Sequence, residues 1–333
     1  MLDPFLVFCE QRDGRLKLAG LEALGEARRL AGSPLRQVVG LVLGEQAQKL
    51  ARKVAERGAD RVLVLEDPDI RDYDPEQWAG IMAEVVRREQ PGALLLAATT
   101  SGKDLASTLA ARLKAALIQD CVGLEVEPGG TLLATRSVYG GKLRAVVKPR
   151  AGVLPIVTLR PGVASAMNVD PASTAAVLPL LLSVNSSRPA ARVRGFEKRP
   201  SDRPALAEAS IVVAGGRGVG GPGGFRLIEE LASVLGGAVG ASRSAVDEGW
   251  VSHALQVGLT GKIIAPQLYI ACGISGAVQH LAGVTSARVI VAINSDPKAP
   301  IFKAATYGIV GDLVEVIPAL IGAIRKAREA ETV

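Results

Sequence analysis

The chain has 333 residues, of which 48% are hydrophobic and only 3% aromatic, with 39 basic against 33 acidic side chains. This composition excludes a disordered chain, and the length predicts two globular domains whose cores consist of Ala, Val, Leu and Ile. The net charge of +6 is too small, and aromatic residues are too few, to predict a nucleic-acid partner.

The first part of the chain, to about residue 116, alternates short aliphatic runs with segments in which apolar residues recur at helical spacing. The predicted strands are FLVF at 5–8, VVGLVLG at 38–44, RVLVLE at 61–66 and ALLLAA at 93–98. The predicted helices lie near 21–31, 47–58, 75–90 and 103–117. Strands that alternate with helices predict βαβ units and a mostly parallel sheet.

The pattern changes over 121–160, where CVGLEVE, TLLATRSVYGGKLRAVV and VLPIVTLRPG are joined by glycine-containing turns. These segments predict an antiparallel extension of the same sheet. The segment 189–205 is basic and contains prolines, which makes it the best candidate for a linker. We therefore predict an N-terminal α/β domain over 1–188 and a second domain over 206–333.

The second domain restarts the alternation, which predicts a doubly wound parallel sheet. Its predicted strands are SIVVAGG, a short strand that ends at Ser242 and Arg243, IIAP at 263–266, LYIACG at 268–273 and RVIVAIN at 288–294. Its predicted helices are FRLIEELASVLGG, a helix that begins near 276 and a last helix over 318–329.

Cysteine usage and the chain start point to a reducing compartment. Cys9, Cys121 and Cys272 are far apart and show no CxxC spacing, which predicts neither a disulfide framework nor a zinc site. The opening residues do not resemble a secretory signal, and no apolar run approaches the ~20 residues that span a bilayer. A cytoplasmic protein that is not integral to a membrane is expected, although a processed mitochondrial matrix form would look the same.

A glycine-rich loop, AGGRGVGGPGG, lies between the first strand and the first helix of the second domain, and its residues 216–221 match GxGxxG. Such a loop lets backbone N–H groups approach a pyrophosphate. An NAD-dependent oxidoreductase is disfavoured, because the ribose contact needs an acidic residue about 20 positions later at a strand end, and none is found. Arg217 within the loop favours an anion site over a plain surface loop.

Two further segments carry candidate ligand-binding residues. Ser242 and Arg243 end a strand, where ligands bind in open α/β sheets, although Arg243 could equally be a solvated arginine. Ser275 is placed to cap the helix of GISGAVQH, which would leave N–H groups for a phosphate. His280 follows on that helix, where a lone histidine is more often a structural residue than a ligand contact unless a ligand edge lies nearby. Its spacing from His253 does not predict a metal pair.

Asn294 and Asp312 each end a predicted strand, where they could bind the hydroxyl groups of a sugar or the edge of a base. The sequence NSDP at Asn294 is also a good turn, so this asparagine could serve the turn alone.

Taken together, these segments resemble the electron-transfer flavoprotein alpha-subunit family. The resemblance rests on GKIIAPQLYIACGISGAVQHLAGV, followed in order by VAINSDPKAPIF and ATYGIVGDL, and it covers most of 209–320. It implies an N-terminal α/β domain that pairs with a beta-subunit and a C-terminal doubly wound domain that binds FAD non-covalently. Two positions depart from the family pattern: Leu259 replaces the usual glutamine of VGQTG, and Gln267 replaces the glutamate of APELYI.

The resemblance also assigns cofactor-binding positions, motif by motif. They are Arg217, Ser242, Arg243, Val257, Gly258, Leu259, Thr260, Ser275, Gly276, Ala277, Val278, Gln279, His280, Asn294, Asp312 and Leu313. Four of them are expected to tune the reduction of the flavin: Arg243, His280, Thr260 and Ser242. No metal is expected. The phosphates are expected at the glycine-rich turns and near Ser275, and the adenosine end at Asn294 and Asp312.

In function, the resemblance implies an electron carrier rather than a substrate-converting enzyme. Electrons would come from flavoprotein dehydrogenases of the acyl-CoA dehydrogenase type, as in fatty acid beta-oxidation, and would pass to a membrane quinone oxidoreductase. The partner beta-subunit would carry AMP. The alternative is an NAD- or nucleotide-binding subunit without flavin.

Overall fold

The computed structural model describes residues 2–32, 36–141, 143–182, 193, 195, 205–207, 209–284 and 287–331. The chain divides into two compact units, Met1–Glu197 and Lys198–Val333. Most of the predicted linker, 189–205, lies outside the described residues, so the linker and the domain limits stay predictions.

The first unit contains eleven strands and four helices among its described residues. The strands are β1 Leu2–Phe8, β2 Gln11–Arg12, β3 Arg15–Leu16, β4 Arg36–Leu43, β5 Arg61–Leu65, β6 Ala93–Ala97, β7 Ala116–Val126, β8 Leu132–Val138, β9 Leu143–Val147, β10 Pro155–Leu159 and β11 Ala176–Pro179. The helices are α1 Leu18–Ala31, α2 Ala47–Ala55, α3 Pro75–Glu89 and α4 Thr100–Leu113.

Within the described residues, nine of these strands form one sheet in the order β11-β5-β4-β1-β6-β10-β7-β8-β9. Pairing is parallel except at β7-β8 and β8-β9, so the prediction of a mostly parallel sheet with an antiparallel extension is confirmed. Helices α1 and α2 pack on one face and α3 and α4 on the other, because residues that alternate along each strand face opposite sides.

Two local predictions in this unit were wrong. PIVTL of β10 does not belong to the antiparallel extension but lies between β6 and β7, parallel to both, and all five of its residues are buried. A continuous apolar run suits a strand covered on both faces. The predicted helix to 117 ends at Leu113, because Lys114 adopts a left-handed conformation, and Ala116 already begins β7.

The second unit has a smaller sheet, and its described elements are all short apart from two helices. Its strands are β12 Ile211–Gly215, β13 Ala238–Ala241, β14 Leu268–Cys272, β15 Val289–Asn294 and β16 Tyr307–Val310. Its helices are α5 Pro222–Leu235, α6 Arg243–Asp247, α7 Val278–Leu281 and α8 Leu313–Glu331.

All pairings in the sheet of the second unit are parallel, and the order is β13-β12-β14-β15-β16. Helices α5 and α8 cover one face, and the other face is covered by irregular segments that bury Ile264, Ile274 and Ile301. The predicted parallel α/β fold of this domain is therefore confirmed. The chain winds outward in opposite directions from β12 and β14, which makes the gap between them the switch point where ligands bind in such sheets.

Several local predictions in the second unit were wrong. IIAP at 263–266 is not a strand, and of its isoleucines only Ile264 is buried. The helix predicted from 276 is a single turn that begins at Val278, with Ala277 rather than Ser275 at its N-cap. The last helix begins at Leu313 instead of 318.

Among the described residues, no helix combines the length and the apolar character needed to cross a bilayer.

Candidate functional site

A cavity of about 680 Å³ lies at the carboxyl ends of the strands of the second unit. Gly218 follows β12 and Gly273 follows β14, and both line this cavity. The cavity therefore opens at the switch point of the sheet, and its volume falls within the range of small-molecule sites.

The glycine-rich loop after β12 forms one wall by direct contact between two backbones. Gly216 donates its N–H to the carbonyl of Cys272 at 2.8 Å, and Gly218 donates to that of Gly273 at 3.0 Å. A Cβ at Gly216 would lie 2.2 Å from the carbonyl oxygen of Gly273, which is an impossible contact. The loop therefore lies this close to β14 only because it has no side chain there.

Ser242 and Arg243 lie at the start of α6, directly after β13. The Ser242 hydroxyl accepts a weak hydrogen bond of 3.4 Å from the Ala245 N–H and so caps this short helix. The Arg243 guanidinium is 3.2 Å from the carboxylate of Asp247, one turn later, and both side chains are more than half exposed. Arg243 thus lines the cavity and forms an ion pair with Asp247.

The segment VGLTG forms a tight turn that also lines the cavity. Gly258 has a φ of +139°, and the Leu259 N–H donates to the Gln279 carbonyl at 2.8 Å. The buried Gln256 amide donates to Oγ1 of Thr260 at 2.9 Å, which leaves the Thr260 hydroxyl proton for a bound molecule. Leu259, at the position where the family pattern has glutamine, is 58% exposed and presents an apolar side chain to the cavity.

His280 lies on α7 and is only 6% exposed. Its Nε2 is 2.7 Å from the hydroxyl of Tyr269, a fully buried residue of β14, whereas its Nδ1 is buried without a hydrogen-bond partner. Burial lowers the pKa of His280 to about 4, and a weaker interaction with the backbone of Val257 acts in the opposite direction. The imidazole at this wall is therefore neutral at physiological pH.

This lowered pKa predicts an acid-sensitive contribution to stability. Between the ordinary pKa of 6.5 and about 4, the unfolded chain binds a proton at His280 that the folded chain excludes. The free energy of unfolding, taken as the unmodified protein minus the His280→Gln variant, should be constant above pH 6.5 and fall by about 1.4 kcal/mol per pH unit below it. Denaturant titrations from pH 7 to pH 5 test this, and a difference that does not vary with pH would contradict it.

Asn294 and Asp312, predicted to end strands, both bind the local backbone. Asn294 is the last residue of β15; its side chain donates to the Ile274 carbonyl at 3.1 Å and accepts from the Asp296 N–H at 3.0 Å. The turn interpretation of NSDP thus accounts for its present contacts. Asp312 does not end a strand, because β16 stops at Val310; its carboxylate accepts from the Val314 N–H at 2.9 Å at the start of α8.

The structure brings twelve of the sixteen predicted positions to the cavity wall. They are Arg217, Ser242, Arg243, Val257, Gly258, Leu259, Thr260, Ser275, Ala277, Gln279, His280 and Asn294. Four predicted positions do not line it: Gly276 packs against Ile301, Val278 and Asp312 are exposed, and Leu313 is buried against Gly273. The cofactor-binding roles of all sixteen stay predictions.

Eight of the residues that line the cavity were not predicted from the sequence. They are Gly218, Ser244, Asp247, Gly273, Ile274, Asp296, Ala299 and Pro300. Gly218, Ser244 and Ile274 are direct neighbours of predicted residues, and Gly273 and Asp296 lie two positions away, so extending each motif by two residues would have found these five. Asp247 could not be predicted in this way, because it reaches the cavity only through the helical turn of residues 243–247.

Comparison with known proteins assigns both units. Residues 5–180 match the electron transfer flavoprotein domain, and residues 205–285 match the electron transfer flavoprotein FAD-binding domain. The electron transfer flavoprotein subunit alpha of Thermoanaerobacterium thermosaccharolyticum is 44% identical, with 97% of this chain and 98% of the relative covered. The chain belongs to the electron transfer flavoprotein alpha-subunit family.

Two further relatives show the breadth of the similarity. The subunit alpha of Bacillus subtilis is 42% identical over 95% of each chain. A protein of Anaerotignum propionicum named acryloyl-CoA reductase electron transfer subunit beta is 35% identical, with 97% of this chain and 96% of the relative covered. The family resemblance predicted from the sequence is therefore confirmed, and FAD is the cofactor of the family's C-terminal domain, which this chain contains.

The cavity of this alpha-subunit family member fits FAD on three observations. The unpartnered Nδ1 of His280 is a buried polar atom that a bound molecule would satisfy. The close packing of Gly216 and Gly218 against the backbone that follows β14 brings Arg217 and Gly218 of the glycine loop to the cavity wall. Two guanidinium groups, on Arg217 and Arg243, lie on the wall and suit an anionic ligand.

Proposed function

We propose that this chain is the FAD-carrying subunit of a heterodimeric electron carrier, with the cofactor bound in the cavity between the carboxyl ends of β12 and β14. The observation that supports this most directly is the convergence of the glycine loop, Arg243 and the buried His280 on one cavity. Bound FAD supplies the capacity to accept and release electrons, and the protein adjusts that capacity through its charges and hydrogen bonds.

The side chains of the wall have distinct roles in this proposal. Arg243 places a permanent positive charge beside the flavin and stabilises the negative charge that reduction adds. Thr260 and Ser242 offer hydroxyl groups to the ring edge, and neutral His280 offers an N–H. None of these groups has to transfer a proton to a substrate, as expected for a carrier.

The phosphates and the adenosine of FAD are expected to contact other predicted positions. Arg217 and the glycine-rich loop bind the phosphates, together with backbone N–H groups near Ser275. Because Ser275 does not cap α7, its contribution is that of its backbone or its exposed hydroxyl rather than of a helix cap. Asn294 and Asp312 remain candidates for the adenosine end, although both carboxamide and carboxylate already bind local backbone N–H groups.

The partner is an electron transfer flavoprotein beta-subunit, which contacts the N-terminal unit and carries AMP. This assignment rests on the family membership of both matched regions. The cytoplasmic location predicted from the sequence stays a prediction.

For the electron donors we propose flavoprotein dehydrogenases of the acyl-CoA dehydrogenase type, with a membrane quinone oxidoreductase as acceptor, as in fatty acid beta-oxidation. A second direction of electron flow is favoured by the relative named as an electron transfer subunit of acryloyl-CoA reductase. In that case the carrier would deliver electrons to an acyl-CoA-forming reductase instead of collecting them from a dehydrogenase.

The test is to produce the chain together with a beta-subunit, purify the complex and measure its absorption spectrum and FAD content. About one FAD per complex is expected, and a colourless protein that binds AMP or NAD but no flavin would support the alternative of a nucleotide-binding subunit. Reduction of the bound flavin by an acyl-CoA and its dehydrogenase, compared with reoxidation by an enoyl-CoA and its reductase, then separates the two directions.

A further inference from the structure

Tyr269 has a hydroxyl group whose position the packing of the sheet does not explain. It is the second residue of β14, in the middle of the sheet, and is fully buried among Val212, Ile290 and other apolar residues. A phenylalanine would fill the same space without a polar atom that has to be satisfied in the core. Among the described residues, the only hydrogen-bond partner of this hydroxyl is Nε2 of His280, at 2.7 Å.

The pair has two possible proton arrangements. In the first, the tyrosine donates its proton to Nε2, and the single proton of the neutral imidazole is on Nδ1. In the second, Nε2–H donates to the tyrosine oxygen, and the tyrosine proton then points into the core without an acceptor among the described residues.

The first arrangement is the more stable of the two. A buried donor without a partner is costly, and the second arrangement creates one within the apolar core that surrounds Tyr269. In the first, the proton is on Nδ1 of His280, a residue of the cavity wall, where the backbone of Val257 is a nearby polar neighbour and no described group meets hydrogen-bond geometry. Burial keeps both groups neutral, because it raises the pKa of Tyr269 well above its ordinary value and lowers that of His280.

We propose that Tyr269 is a positioning residue: its buried hydroxyl donates to Nε2 of His280, fixes the Nδ1–H tautomer and so makes the imidazole a hydrogen-bond donor to an acceptor atom of bound FAD. The part that concerns FAD rests on the proposed function. The tautomer rests on the pair of side chains alone. An imidazole in the other tautomer would turn a lone pair toward the same ligand atom and repel it.

The experiment compares the unmodified protein with Tyr269→Phe, each with ¹⁵N-labelled histidine in this chain and an unlabelled beta-subunit. The chain has only two histidines, so His253→Gln assigns the His280 signals. Long-range proton–nitrogen spectra report which ring nitrogen carries the proton, in the FAD-free and the FAD-loaded protein. Tyr307→Phe is the matched control, because it removes a hydroxyl from an exposed tyrosine that does not line the cavity.

The unmodified protein should show His280 protonated on Nδ1 in both states. Tyr269→Phe should give a mixture of tautomers and raise the dissociation constant of FAD by about three- to tenfold, whereas Tyr307→Phe should change neither. A proton on Nε2 in the unmodified protein, or unchanged tautomer and affinity in Tyr269→Phe, would overturn the proposal. Absence of FAD binding by the unmodified protein would overturn the proposed function and the donor role, and the FAD-free spectra would still decide the tautomer.

Discussion

Replacing Gly216 with alanine is expected to weaken FAD binding by about ten- to a hundredfold. The new Cβ would lie 2.2 Å from the Gly273 carbonyl oxygen and 2.8 Å from Cα of Ile274, and both are backbone atoms that cannot rotate away. The loop must therefore move off β14, which also disturbs the Gly218 hydrogen bond to the same oxygen. Overpacking of this kind costs about 1–3 kcal/mol, and each 1.4 kcal/mol is a tenfold change in affinity.

The measurement is the dissociation constant of FAD for the complex with the beta-subunit, determined by titration of the FAD-free protein. Gly223→Ala is the matched control, because a Cβ at Gly223 meets no atom within 4 Å although it lies in the same glycine-rich segment. We expect near-native FAD affinity in Gly223→Ala and a large loss in Gly216→Ala. That result would show that the contact between Gly216 and Gly273 is needed for FAD binding. Equal affinities in the two variants would show that FAD does not bind against this wall.

The difference between these two glycines also marks how far the sequence can predict the site. The composition of GRGVGGPGG indicates an unusual backbone and an anion site, but Gly216 and Gly223 look alike in the sequence. The contact with Gly273, directly after the neighbouring strand β14, distinguishes them, and that contact joins residues 57 positions apart.

The strands of the fold could be predicted from local sequence, whereas their order in the sheet could not. Runs such as ALLLAA and RVLVLE predict strands correctly because a continuous aliphatic run is enough for a strand buried on both faces. The neighbours and direction of β10 were not predictable from PIVTL, because a parallel strand in the middle of a sheet has the same local pattern wherever it is inserted. Strand order depends on the packing of the whole unit.

The site residues divide in the same way. His280 and Arg243 could be proposed from their motifs, whereas Tyr269 appears in the sequence only as one apolar position of the strand LYIAC. Its role depends on the distance of its hydroxyl to His280, eleven residues away on another element. Ser275 illustrates the opposite error: serine beside glycine is typical of a helix cap, but the left-handed Gly276 delays the helix to Val278.

Removing the charge of Arg243 is expected to lower the reduction potential of bound FAD. The guanidinium lines the cavity, and its side chain is 69% exposed. Because solvent screens the charge of a side chain this exposed, its interaction with the charge added on reduction is about 1–2 kcal/mol. For a one-electron step this corresponds to about 40–80 mV in Arg243→Ala. The check is a potentiometric titration of the complex, with Arg325→Ala as the control that removes a distant charge paired with Glu230.

The ion pair with Asp247 provides a second variant with the opposite sign. At 3.2 Å the carboxylate partly neutralises the guanidinium, so Asp247→Asn should leave Arg243 more positive toward the flavin and raise the potential. A steric or folding defect would shift both variants in the same direction, whereas an electrostatic role shifts them in opposite directions. If Arg243→Ala keeps full FAD content and an unchanged potential, the guanidinium does not act on the flavin. The tuning would then come from the neutral donors of the wall, His280 and Thr260.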